Sequence, residues 1–162
     1  MEAIMKAISI RNAIIKAKIN GTPTFSGWAL DRKFGWNGLL ISIENKKGSL
    51  RKWQTDKDSG QTKMCYDYGY IRRTQGNDGD HIDCYINESN KQSDKVFIIH
   101  QNVPDTGKYD EDKVMLGFDT AQQAKSAYLK HYNSPKFFGS LDEMSLQSFK
   151  DKVLGKRVNK VK

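Results

Sequence analysis

The chain has 162 residues, 37% of them hydrophobic and 10% aromatic, and a formal charge of +8. That length suits one domain that buries a core without staples, and the composition excludes a disordered polymer. No run nears the ~20 apolar residues of a membrane span, and two cysteines, Cys65 and Cys84, are too few for a disulfide scaffold, which predicts reduced thiols in a cytoplasmic protein.

The opening stretch MEAIMKAISIRNAIIKAKING has no long apolar core and no small-residue cleavage site, so no secretory leader is expected. Ile4, Ile8, Ile14 and Ile15 predict a weak amphipathic helix over 3–18. GTPTFSG at 21–27 reads as a loop. GLLISIEN at 38–45 alternates, with Leu39, Ile41 and Ile43 on one wall, and predicts a strand. Turn signals around it place short strands at 50–54 and 61–66. HIDCYI at 81–86 alternates again, with Ile82, Cys84 and Ile86 opposite His81, Asp83 and Tyr85. KVFIIH at 95–100 and KVMLGF at 113–118 are further strands.

Two helices close the chain. Thr120 with Gln123 signals a cap before Ala121, Ala124, Ala127 and Tyr128. Ser145 caps a second run carrying Leu146, Phe149 and Val153, expected to stop near Gly155. The predicted class is mainly β (α+β): a small OB-like β-barrel with peripheral C-terminal helices.

The positive charge lies at the ends. Residues 1–40 hold six basic against two acidic side chains, and residues 147–162 hold six against one, which leaves 41–146 at −1. Basic ends can meet nucleic acid or acidic partners, or simply be solvated. Few aromatics alternate with Lys or Arg on the strands, which argues against a nucleic-acid barrel.

Against that distribution, YGYIRRTQGNDGDHIDCY at 68–85 puts Asp78, Asp80 and Asp83 within six residues. Carboxylates this close repel unless a cation sits among them. A turn leading into a strand makes an oxygen-rich site for a hard cation such as Mg²⁺, although turns favour Asp in any case. An EF-hand loop fits poorly, because no Gly stands at the sixth place and no Glu at the twelfth. A second acidic turn carries Asp105, Asp110, Glu111 and Asp112, followed by Lys113. That lysine serves either a plain ion pair or a phosphate beside metals. Tyr68 and Tyr70 flank Gly69, one hydroxyl available to a site while the other ring packs.

CYDYGYIRRTQGNDGDHIDCYI resembles the signature of the first family of soluble inorganic pyrophosphatases, NYGYI followed by DGDPxDVxV, with the same ten-residue step from Tyr68 to Asp78. It is more similar still to the pyrophosphatase-like domains of phage-encoded multidomain proteins, through the blocks ISIEN, DYGYI, DGDHxD, DTG, KVMLGF and SLDEMSLQSFK over 38–154. The resemblance implies a basic extension over 1–37, a pyrophosphatase-like domain over 38–155 and a basic tail over 156–162. It implies an Mg²⁺-dependent (or Mn²⁺-dependent) hydrolase of pyrophosphate or a related phosphoanhydride. The protein would act in the cytoplasm of a bacterial host, or be virion-associated, without a membrane partner. The alternative it leaves is a non-catalytic phage protein, virion-associated or anti-defence, on the same fold.

By the same resemblance, Asp78, Asp80, Asp83, Asp105 and Glu111 (or Asp110) would hold metal. Asp80 would also act as base or orienter for the attacking water. Lys113 and Tyr68 would act on phosphate oxygens. Glu44, Arg51, Lys63, Tyr132 and Lys136 would bind substrate, Lys63 and the split Tyr132/Lys136 pair being the loosest matches. The pattern departs at His81, which stands where the family has proline.

Overall fold

A computed structural model describes residues 32–54 and 57–161, with side chains as far as Leu154. The 3–18 helix, the 21–27 loop and most of the 1–37 extension lie outside the described residues. The strands are β1 (Arg32–Trp36), β2 (Leu39–Asn45), β3 (Leu50–Gln54), β4 (Ser59–Lys63), β5 (Asp67–Ile71), β6 (Ile82–Ile86), β7 (Lys95–Asn102), β8 (Tyr109–Leu116) and β9 (Phe138–Ser145). The helices are α1 (Ala121–Leu129) and α2 (Leu146–Val161). Seven strands form one sheet in the order β1-β2-β5-β6-β8-β7-β9, while β3 and β4 pair separately. Among the described residues only the β6–β8 pairing is parallel.

β1 turns into β2 through Asn37 and Gly38, both at positive φ (49° and 86°), the backbone that a two-residue hairpin turn requires. β5 then crosses β2 at very close range. A Cβ on Gly69 would lie 1.8 Å from the Ser42 carbonyl oxygen, so only glycine fits there. The β2–β5 register shifts between Ile43 and Asn45 at the same place.

The alternation read from the sequence sorts the sheet into two faces. Leu39, Ile41, Ile43, Cys84, Ile86, Ile98 and Val114 pack with Phe149 of α2. Tyr68, Tyr85, Phe97, Ile99 and Met115 pack with Ala124, Ala127 and Tyr128 of α1. The mainly-β class with C-terminal helices is therefore as expected. The closed barrel is not formed among the described residues, because β1 and β9 remain separate edges of the sheet. The physical reason lies in VFII at 96–99, buried on both faces. A strand apolar on both faces supports two cores, one per helix, rather than one barrel interior.

α1 starts as expected. The Thr120 hydroxyl accepts from the Gln123 N–H, and the Gln123 side chain reaches back to the Asp119 N–H, each at 3.1 Å. At α2 the Ser145 hydroxyl accepts from the Ser148 N–H at 3.0 Å, but the helix continues past Gly155 to Val161. One glycine costs a helix only about 1 kcal/mol, too little to end it. β9 escaped the sequence reading because it is an edge strand without period-2 burial.

Candidate functional site

The parallel pairing of β6 with β8 sets Asp83 beside Lys113. The β5–β6 register sets Tyr68 opposite Tyr85 and Tyr70 opposite Asp83. Because side chains alternate along strands, Tyr68, Asp83, Tyr85, Glu111 and Lys113 share the α1 face. Lys113 is 2% exposed. Its Nζ lies 2.8 Å from Asp83 Oδ2, forms an ion pair with Glu111 Oε1, and donates to the Tyr68 hydroxyl at 2.8 Å. The Tyr68 hydroxyl in turn donates to Asp83 Oδ2 at 2.8 Å. Arg51, from the separate β3–β4 hairpin, lies over the Tyr68 ring with its guanidinium carbon 4.5 Å from the centroid.

Burial and charge set the electrostatics. Burial pushes Glu111 up to about 7, against the pull of Lys113 and with the help of Asp83. Burial works against the Lys113 ammonium, but Asp83 and Glu111 outweigh it and hold the lysine charged. Burial also raises the Tyr68 phenol. The cluster thus keeps a charged lysine between two carboxylates in a dry setting.

Tyr132 follows α1 and completes the aromatic wall. Its hydroxyl accepts from Tyr85 at 3.0 Å, and its ring stacks on Tyr128 at 4.3 Å. Tyr128 donates to Gln101 Oε1 at 2.7 Å, and Gln101 Nε2 donates to Asp110 at 3.4 Å. Burial raises the Asp110 carboxyl. Glu44 stands at the end of β2, where its charge reaches Cys84 together with that of Asp83.

The first acidic turn is organised partly by its own carboxylates. Asp78 Oδ1 accepts from the Asp80 N–H at 3.0 Å, Asp80 Oδ1 accepts from the His81 N–H at 2.9 Å, and Gly79 takes φ +83°. His81 stacks on Tyr70 at 4.6 Å. Asp78 is in electrostatic reach of Asp110. Asp105, Lys63 and Lys136 are exposed on a turn, on β4 and on the short 3₁₀ turn Pro135–Phe137, and no side-chain contact joins them to Lys113 among the described residues.

The sequence-named residues Tyr68, Asp83, Glu111, Lys113, Arg51 and Tyr132 are therefore brought together. Between the Asp110 and Glu111 alternatives, Glu111 is the one that pairs with Lys113. Tyr85 and Gln101 belong to the same network and were missed. Tyr85 was detectable, because the alternation of HIDCYI already placed it on the Asp83 face. Gln101 was not, because its role depends on α1 bringing Tyr128 over β7.

The donors near Lys113 are all oxygen, which fits a hard divalent cation by type. Their present arrangement does not form a metal cage. Among the described residues no group of three or more His, Cys, Asp or Glu stands close enough to hold an ion, and Lys113 lies between Asp83 and Glu111.

Beside this cluster, between the 73–78 turn and α2, lies a cavity of about 470 Å³ with Asp83 and Glu111 in its wall. The sheet, covered on both faces, thus gathers Asp83, Glu111, Lys113 and Tyr68 in one cluster with Arg51 over the Tyr68 ring. Residues 26–154 match the family model of inorganic pyrophosphatase, and the chain belongs to that family. Comparisons with curated proteins and with solved structures found no match.

Proposed function

We propose that the protein is an Mg²⁺-dependent hydrolase of pyrophosphate or a related phosphoanhydride. The observation that carries this reading is the buried Lys113, joined to Asp83, Glu111 and Tyr68 and flanked by Arg51. A structural ion pair alone would not need a second cation and a phenol aimed at the same place.

Asp83 and Glu111 would hold the metal, with Asp78 and Asp80 contributing from the 76–80 turn and Glu44 near the same end of the sheet. When bound, the ion would lower the pKa of a water and neutralise phosphate charge. Phosphoryl transfer leaves the protein little covalent work, so the side chains position and stabilise charge. Asp80 orients the attacking water and accepts its proton. Lys113, released from one carboxylate, donates to a phosphoryl oxygen, and Arg51 faces the same oxygens. Tyr68 supplies a neutral donor, since burial keeps its phenol protonated. Tyr132, held by Tyr85, closes the wall and excludes water. Asp105, Lys63 and Lys136 enter this reading only if the turn, the β3–β4 hairpin and the 3₁₀ turn that carry them close over substrate.

The test is phosphate release from pyrophosphate by purified protein, with and without Mg²⁺, across pH 6–9. Metal-dependent release is expected. No release from pyrophosphate or any nucleotide anhydride would defeat the hydrolase reading. One observation favours the second reading, a non-catalytic module such as a phage virion or anti-defence protein. Lys113 already pairs with both buried carboxylates and so partly neutralises them with no metal between them.

A further inference from the structure

We propose that His131 is a positioning residue: its ring latches the β3–β4 hairpin, and Arg51 with it, onto the end of α1, and lets go on acidification. The role given to Arg51 rests on the hydrolase reading above; the latch itself does not.

Among the described residues β3 and β4 pair only with each other, so no ladder ties the hairpin that carries Arg51 to the main sheet. It is held at its base instead. Where the chain enters, the Lys47 N–H donates to Asp67 Oδ1 of β5 at 2.7 Å. Where it leaves, the Met64 N–H donates to the Ser49 carbonyl at 2.9 Å, and the Met64 side chain is buried in the cluster of Tyr68 and Tyr85. The next residue meets α1: the Cys65 N–H donates to His131 Nε2 at 3.0 Å. The other ring nitrogen, Nδ1, lies 2.8 Å from the Ala127 carbonyl oxygen. These two backbone partners dictate the protonation state. A carbonyl can only accept, so Nδ1 carries the hydrogen, and an amide N–H can only donate, so Nε2 must keep its lone pair. The neutral Nδ1–H tautomer is the form that satisfies both. A second proton, on Nε2, would face the Cys65 N–H and sever that bond.

The surroundings give that proton no compensation. His131 is 6% exposed, and its ring centroid lies 4.6 Å from that of Tyr85 on β6. The phenols of Tyr85 and Tyr128 stay neutral, since burial raises both. The charged groups that act on His131 most are both cations, Arg51 of β3 and Lys130 next to it in the chain. Burial lowers the His131 pKa, these cations push it the same way, and the backbone of Ala127 and Tyr128 opposes them only in part. Once the hairpin swings free, the imidazole regains an ordinary value of about 6.5. The open form therefore takes up a proton that the latched form refuses. Opening is rarest above that value, grows at most about tenfold per unit as pH falls below it, and levels off below the latched pKa. Arg51, now 4.5 Å from the Tyr68 ring centroid, leaves with the hairpin.

The test measures amide exchange of Cys65 by NMR in the full chain from pH 7.5 to 5, corrected for the intrinsic pH dependence of exchange. In wild type the opening constant should rise at least about threefold over that range. His131→Gln, whose side chain still offers an oxygen to Cys65 but takes up no proton, should show no such rise. A constant value in wild type, or an equal rise in the variant, would overturn the latch. Should His131→Gln fail to fold, as read from its thermal melt, the ¹⁵N resonances of the His131 ring decide. They should report the Nδ1–H tautomer at pH 7.5 and a protonation midpoint below about 6.5; the other tautomer, or a higher midpoint, would overturn the proposal. Calorimetric binding of methylenediphosphonate with Mg²⁺ tests the link to Arg51. The ratio of wild-type to His131→Gln affinity, in which the ligand's own protonation cancels, should fall at least about threefold from pH 7.5 to 5. Arg51→Ala should abolish that fall, and a fall that persists without Arg51 would overturn the positioning role. Failure of wild type to bind at any pH would defeat the hydrolase reading, while the exchange data still decide the latch.

Discussion

Lys113 is held by two carboxylates that would repel each other without it. Lys113→Ala leaves Asp83 and Glu111 buried and unpaired, which costs about 3–5 kcal/mol by analogy with other broken buried pairs. Urea denaturation should show that loss, and millimolar Mg²⁺ should return part of it if the carboxylates accept the ion. Turnover should fall about a hundredfold or more, the usual effect of losing a charge-stabilising donor. Asp80→Asn should separate from this variant, abolishing turnover while leaving metal-free stability close to wild type. His100 offers a different residue-level reading. Its ring nitrogens lie 2.6 Å from Asp112 and 2.7 Å from Asp142. Partial burial lowers its pKa, but the two carboxylates raise it more, and the net direction is up. Since the folded pKa lies above the unfolded value of about 6.5, its contribution to stability is full below that value. It is lost as pH rises through the folded pKa. Melting temperature measured from pH 5 to 9 should show this decline in wild type, and His100→Gln should flatten it.

At the level of elements, α2 and the β2–β5 crossing carry different risks. Phe149 is 1% exposed and anchors α2 to the sheet, so Phe149→Ala should cost about 3–5 kcal/mol. Deleting residues 156–162 is expected to leave the fold intact, since chain ends are where truncation is commonly tolerated. Comparative thermal melts test both, and a collapse on truncation would show that the tail is docked. Gly69→Ala is expected to prevent native pairing of β2 with β5, because the new methyl would meet the Ser42 carbonyl at 1.8 Å, a backbone atom that cannot swing aside. Loss of the cooperative urea transition is the readout.

For the whole molecule, the acidic end of the sheet should make stability respond to metal. A ligand that binds only the folded state raises the melting temperature with its concentration. Millimolar Mg²⁺ or Mn²⁺ should therefore raise it, and Asp83→Asn should abolish the response. An equal shift in both proteins would place the bound metal elsewhere. Among the described residues no helix is long and apolar enough to cross a membrane.

The sequence by itself determined the strands that alternate, the Thr120 cap, the faces of HIDCYI and the family motif around Asp78, Asp80 and Asp83. These are local properties, written in period and spacing. Tertiary structure decided what lay between segments far apart in the chain. It paired β6 with β8 in parallel and so set Lys113 beside Asp83, thirty residues away. It brought Arg51 over Tyr68 from a separate hairpin, and it turned Asp78 and Asp80 partly toward their own turn. It also left the sheet open, because β7 is apolar on both faces and each helix claims one of them. A pattern along the chain records which residues avoid water, but not which distant residues they avoid it with.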